Sequence, residues 1–270
     1  MPGSPVISLT TDFGSEDPFA GVMKGVILTI NPVVRIVDIT HGIHPHDIKE
    51  AAYTVGMNYR YFPLNTIHIV VVDPGVGSGR RPLIVSADHH FFIGPDNGVF
   101  SYLYQMHRES AHVTHITAAH YFLSAESATF QGRDVFAPVA AWFSRGVEIS
   151  KFGDPVDDYV TIPLSVPVLS SGGVLTGEVV HIDRFGNAIT NITPKELGQL
   201  RCSDTGGKEG LRVRVKGSTV AMKEFYEQGG DGGLHALMNS SGCLELFVFQ
   251  GNASGTFHIA TGDQVEVVAG

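Results

Sequence analysis

Cysteine is scarce in this 270-residue chain, which holds only Cys202 and Cys243. Two thiols make neither a disulfide framework nor a cysteine zinc site, so two packed thiols in a reducing compartment are expected. Positive charge is also sparse. There are 18 Lys and Arg against 27 Asp and Glu, a formal net charge of -9. A phosphate-binding surface needs the opposite balance, so no nucleic-acid partner is expected, and the mild acidity reads as solubility. A basic membrane-binding stretch is missing. No apolar run approaches the roughly 18 residues of a spanning helix, so no membrane association is expected. Met1-Pro2-Gly3-Ser4-Pro5 leads straight into an apolar strand, without the basic region and cleavage site of a signal peptide. The expected location is the cytoplasm. Internal repeats and low-complexity tracts are absent.

What remains is globular: 43% apolar and 17% charged residues, on a chain long enough for two domains. The first 150 residues alternate strand-like and helix-like segments. Val6–Leu9 reads as a strand ending at Thr10-Thr11-Asp12-Phe13-Gly14. A helix follows, with Asp17 as its cap and Pro18 at its first position. Phe19, Val22, Met23, Val26, Ile27 and Ile30 mark its buried face, and Asn31-Pro32 stops it. Further strands are read at Val34–Ile39, Thr66–Val72, Leu83–Ser86 and Phe91–Ile93. Further helices are read after Pro45 and over Asp134–Phe143. This alternation predicts an α/β domain with a mostly parallel sheet over residues 1–163. Residues 164–173, rich in Pro, Ser and Gly, read as a linker. Short strands at Val174–Ile182, Leu211–Val215, Leu244–Phe249 and Gln264–Val268 predict a smaller β-barrel-like domain over 174–270, with a short helix at Pro194–Leu200.

Ligands of open α/β sheets gather beyond the carboxyl ends of strands. Asp12, Asp38, Asp73 and Asp96 all stand at such ends. The Gly75-Val76-Gly77-Ser78-Gly79 segment is neither a Walker loop nor a dinucleotide fingerprint, and alone it reads as a tight turn. His41, His44, His46 and Asp47 cluster, as do Asp88, His89 and His90. The Asp-His-His triplet is similar to that of a class of metal-dependent phosphoesterases, but the further aspartate motifs of those enzymes are not evident. No metal site is therefore expected. A nucleophile elbow is missing, which argues against serine catalysis.

Five segments occur together: Thr10-Thr11-Asp12-Phe13-Gly14, Val72-Asp73-Pro74-Gly75-Val76-Gly77, Gly132-Arg133-Asp134, Asp183-Arg184-Phe185-Gly186-Asn187 and Asn239-Ser240-Ser241-Gly242. In this order they resemble the S-adenosylmethionine hydroxide adenosyltransferases, relatives of the fluorinases and chlorinases. The resemblance spans the whole chain. It implies a homotrimer, with sites between one subunit's N-terminal domain and a neighbour's C-terminal domain. It implies a small-molecule substrate, S-adenosyl-L-methionine, and no cofactor.

It also implies roles. Asp12 would hold both ribose hydroxyls, since a carboxylate accepts two O–H donors at once. Phe13, His46, Phe130 and Gly132 would line the same substrate site. Phe185 would stack on adenine and Asn187 would bond its edge. Phe225 would add a second face, and Asn252 and Ala253 would offer backbone groups. Asp183 would pair with the methionine ammonium, while Ser240 and Ser241 would meet the carboxylate end. Asp73 and Arg80 match residues that position water in the hydroxide-using branch. The halide-using branch carries a tyrosine at the place of Asp73, and a halide beside a carboxylate is disfavoured. The branch's third residue is a histidine before Gly-Arg-Asp. Here it is Gln131, which orients water but takes no proton near neutral pH. Three alternatives follow: a halogenase, a nucleoside-binding module without turnover, and a metal-dependent phosphoesterase using the His-rich loops.

Overall fold

The computed structural model describes residues 4–124, 127–200 and 210–269, which fall into two units, Met1–Leu164 and Ser165–Gly270. Cys202 lies outside the described residues. No described helix is long and apolar enough to cross a membrane.

The first unit is built on seven strands. They are β1 (Val6–Thr11), β2 (Arg35–Thr40), β3 (Ile67–Val71), β4 (Pro82–Ala87), β5 (His90–Pro95), β6 (His112–Ile116) and β7 (Gly153–Val156). Their order is β2-β1-β3-β5-β4-β6-β7. The pairings β1/β2, β1/β3 and β3/β5 are parallel, and those of β4 and β7 with their neighbours are antiparallel. The sheet is thus mostly parallel, with its antiparallel strands toward one edge. Helices α1 (Phe19–Ile30), α2 (Ile48–Asn58), α3 (Ser101–Met106) and α4 (Ala137–Ser144) cover it. Met23 and Ile27 of α1 share one core with Val139 and Ala140 of α4 and with Ile67, Ile69 and Val71 of β3. Ala51 and Val55 of α2 share the opposite core with Leu103 of α3 and with Val70 and Val72. A strand whose two faces both meet helices has to be apolar throughout, and β3 is buried at every position.

Three local readings change. Pro18 occupies the cap position of α1, and no side chain caps it, so Asp17 does not serve there. The real side-chain cap is on α2, where Asp47 accepts from Glu50 N. The helix read over 134–143 starts as a π-helical turn, Gly132–Phe136, before α4 continues it. Strands β6 and β7 were not foreseen, and neither carries a clean two-residue alternation of apolar side chains.

The second unit contains β8 (Val168–Leu169), β9 (Val174–Ile182), β10 (Ala188–Thr190), β11 (Leu211–Val215), β12 (Ser218–Ala221), β13 (His235–Met238), β14 (Leu244–Phe247) and β15 (Gln264–Ala269). Two short helices, α5 (Pro194–Leu197) and α6 (Ala253–Phe257), interrupt them. The order is β12-β11-β15-β9-β10-β14-β13, and a bridge between Met222 and Ala236 brings the two ends together. The result is nearly a closed barrel around Leu175, Val179, Val213, Leu246 and Val265. Part of the stretch read as linker is ordered, because β8 pairs with β9.

Candidate active site

β1 sits between β2 and β3, so the chain leaves β1 toward one side and returns on the other. That switch point is where open parallel sheets hold ligands. Thr11 of β1 pairs with Val71 of β3. Asp12 and Asp73 therefore leave neighbouring strands at the same end, one and two residues beyond the paired positions. Both line a cavity of about 320 Å³, which Phe13, His46, Phe130, Gln131 and Gly132 also line.

Asp12 is held from outside the strand. Its Oδ2 accepts from His46 N at 2.9 Å, and His46 adopts φ 69°. Gly14, at φ 68°, turns the chain so that its N–H donates to His41 O at 2.8 Å. The ring of His41 meets Thr11 Oγ1 at 2.8 Å, and that hydroxyl accepts from Phe13 N. Phe13, Phe19 and Phe130 pack ring against ring, with centroids 5.3–5.8 Å apart.

Asp73 is gripped by Arg80. Nε donates to Oδ1 at 2.8 Å and Nη2 donates to Oδ2. Both side chains are nearly buried, Asp73 at 4% exposure and Arg80 at 9%. The turn after β3 makes this possible, since Val76 N donates to Asp73 O and Ser78 N to Gly75 O. The Arg80 guanidinium lies 5.5 Å from the centre of the Phe136 ring. Among the described residues, its Nη1 is buried without a partner, and so is Oε1 of Gln131. Gly132 is tightly packed: a Cβ there would come within 3.1 Å of Met23 Sδ and 3.2 Å of the Phe130 ring, so both side chains would have to shift by a few tenths of an ångström. Arg133 and Asp134 of the same motif pair with each other at 2.6 and 2.9 Å. The Gly-Arg-Asp signature thus fixes the turn that carries Gln131.

In the second unit, Asp183 organises a turn between β9 and β10. Oδ1 accepts from Phe185 N at 2.9 Å and Asn187 N at 2.8 Å, and Oδ2 accepts from Asn187 Nδ2 at 3.0 Å. Phe185 is left 74% exposed at the tip. Gly186 takes φ 83°, and a Cβ there would collide with the Asn252 side chain. Asn252 caps α6 through Gly255 N, and Ser254 N donates to Gly186 O. Asp183, Phe185, Asn187, Asn252 and Ala253 thereby form one neighbourhood. Ser240 and Ser241 sit on the β13–β14 turn, which Asn239 fastens by accepting from Ser241 N and Cys243 N. Phe225 is half exposed and precedes Tyr226.

The family model for the SAM hydroxide adenosyltransferase N-terminal domain matches residues 7–153, and that for the C-terminal domain matches 177–266. The chain belongs to the SAM hydroxide adenosyltransferase family. A protein of Salinispora arenicola named (R)-S-adenosyl-L-methionine hydrolase is 31% identical over all of both chains. One of that name from Methanocaldococcus jannaschii is 34% identical, covering 97% of this chain and 95% of its own. A fluorinase of an Actinoplanes species is 26% identical over 90% of this chain and 91% of its own. An uncharacterized conserved protein of Thermotoga maritima has a crystal structure matching with TM-score 0.88 and 32% identity, covering 97% of this chain and 99% of that one.

In this adenosyltransferase, part of the His-rich sequence packs into the N-terminal unit. His90 and His68 are buried, His90 meeting Tyr59 edge to face and His68 stacking on Phe92, and Asp88 and His89 form the positive-φ turn joining β4 to β5. Among the described residues, no group of three or more His, Cys, Asp or Glu is placed to hold a metal ion. Cys243 is buried, and burial pushes its thiol up. Sequence reasoning missed Glu245, a buried carboxylate on β14 bonded to Tyr226 and Asn239. The available signal was one acid inside Leu244-Glu245-Leu246-Phe247.

Proposed function

We propose that the protein hydrolyses S-adenosyl-L-methionine to adenosine and L-methionine, by in-line attack of water at the ribose 5′ carbon. One observation carries this reading. A buried carboxylate, Asp73, faces the cavity with its charge fixed by Arg80, two residues past the sheet pairing that also sets Asp12. In this reading Asp12 holds the ribose diol. Asp73 accepts a hydrogen bond from the attacking water, and Gln131 Oε1 accepts the second. The C5′–S bond breaks with its electron pair going to sulfur, the C5′–O bond forms, and one proton is released. Sulfonium is already a good leaving group. Orientation therefore supplies much of the acceleration, up to ~7–11 kcal/mol in favourable intramolecular cases.

The exposed Phe185 ring stacks on adenine with Asn187 at its edge, and Phe225, Asn252 and Ala253 complete the base site. Asp183 meets the ammonium, and Ser240 with Ser241 meets the carboxylate. No metal or other cofactor takes part. Self-association as a homotrimer brings the two residue sets of neighbouring copies to one substrate, and the chain acts in the cytoplasm. A carboxylate in the cavity favours water over halide, because an anion beside Asp73 is disfavoured. Incubation with S-adenosyl-L-methionine, with and without chloride, followed by chromatography, tests the proposal. Equal release of adenosine and methionine supports it. A halogenated nucleoside, or binding without release, contradicts it.

A further inference from the structure

All four residues of β14 are buried, and Glu245 is 3% exposed. Its Oε1 accepts from the Tyr226 hydroxyl at 2.8 Å and its Oε2 from Asn239 Nδ2 at 3.0 Å. The turn itself tells the oxygen and nitrogen of the Asn239 amide apart. Its Oδ1 takes two backbone N–H groups, those of Ser241 and Cys243, each at 3.0 Å. Only Nδ2 is left for Glu245, so Oε2 is met by a donor.

Burial raises the Glu245 carboxyl above the usual carboxylate range, the Asn239 and Tyr226 donors work against that, and the second carboxylate, Asp183, adds to the rise. Asp183 also raises Tyr226, which burial and Glu245 have already raised. Among the described residues no Lys, Arg or His forms an ion pair with Glu245. Through Asn239, the same carboxylate braces the Ser240–Ser241 turn.

We propose that Glu245 is a positioning residue for the amino-acid end of the substrate. It fixes the serine turn by holding Asn239 Nδ2 while Asn239 Oδ1 takes the backbone N–H groups of the turn. The C-terminal unit is thereby set for a ligand that carries an amino-acid portion. This rests on the assignment of Asp183 and Ser240 to the methionine end.

Glu245→Gln keeps shape and one acceptor oxygen but turns the other into an N–H donor facing the Tyr226 hydroxyl or Asn239 Nδ2. Calorimetry of the full chain with S-adenosyl-L-homocysteine and with 5′-methylthioadenosine separates the roles. Both are neutral thioethers of the same nucleoside, and only the first carries an amino acid. In the variant, the dissociation constant for the first rises about tenfold and that for the second stays within about twofold. KM for S-adenosyl-L-methionine follows the first ligand while kcat stays within about twofold. Equal weakening of both ligands, or unchanged affinity for the first, overturns the proposal. Tyr226→Phe removes one donor and gives a smaller loss in the same direction, and it carries the comparison if Glu245→Gln does not fold. A wild-type protein that binds S-adenosyl-L-methionine but releases no adenosine refutes the hydrolase reading and leaves the Glu245 comparison standing. Turnover in the wild type with an indifferent Glu245→Gln refutes this proposal alone.

Discussion

Arg80 holds Asp73 by both arms of its guanidinium, Nε to Oδ1 at 2.8 Å and Nη2 to Oδ2. The fork fixes the carboxylate plane as well as its charge. A buried pair of this kind is expensive to break and is weak evidence for stability as such. Its meaning is orientation: Asp73 presents a set direction to the cavity it shares with Asp12.

Asp73→Asn is expected to lower kcat by about 10²- to 10³-fold, the size typical of a lost polar group acting at the transition state. Adenosine affinity should stay within about twofold, because Asp12 and the second unit's residues are untouched. Steady-state kinetics with adenosine as competitive inhibitor check this. Arg80→Ala leaves the carboxylate buried and unpaired, so it should also cost about 3–5 kcal/mol of stability, read by denaturant unfolding.

Gln131→His is expected to preserve or raise the rate. Among the described residues, Gln131 Oε1 is buried without a partner, and an imidazole there can still accept from water while also taking its proton. A clear fall in kcat for the histidine variant would show that the amide has a role of its own.

Phe185→Ala tests the adenine platform without disturbing the fold. The ring is 74% exposed, so the melting temperature should barely move. A stacked base contributes about 1–3 kcal/mol, so adenosine should bind about tenfold or more weakly. Gly186→Ala should weaken adenosine and also lower the melting temperature. Its φ of 83° disfavours alanine, and the new methyl would meet Asn252.

Acid should unfold the N-terminal unit through His68. Burial pushes its imidazole down to about 3, and His90 adds to the shift. The unfolded chain protonates near the ordinary value of about 6.5. Above that pH both states are neutral and the stability is fully present. Below it the unfolded state takes a proton that the folded state refuses, so stability falls by about 1.4 kcal/mol per pH unit down to about pH 3. His90, lowered by burial, acts in the same direction. His68→Gln, which keeps a partner for Ser8 Oγ, should flatten the slope of chemical unfolding measured between pH 6 and 4 (about two units on that scale).

The carboxylates beyond β1, β3 and β5 were legible because a short apolar run followed by an aspartate has few other meanings in an open sheet, whereas Asp38, read as closing its strand, lies inside β2 and pairs with Leu9. The run Ile67–Val71 and the Asp73 beyond it are one example. The helix α1 was legible from its spacing, but its cap was not, because Asp17 makes no side-chain bond to the backbone it precedes. The histidines show what spacing leaves out. Spacing along the chain says nothing of burial, and His68 and His90 are packed among aromatic rings. Glu245 escaped because its partners, Tyr226 and Asn239, come from separate loops that only the barrel brings together. The roles of Asp183 and Asn187 rested on resemblance. The local geometry adds a reason for their spacing, since four residues let the asparagine side chain close back on the aspartate.

Turnover in ¹⁸O-labelled water tests the central claim most directly. Attack at the ribose 5′ carbon puts the label on the 5′ hydroxyl of adenosine and leaves methionine unlabelled. Label in the methionine fragment, or a nucleoside product formed without solvent oxygen, would contradict water held by Asp73 opposite the departing sulfur.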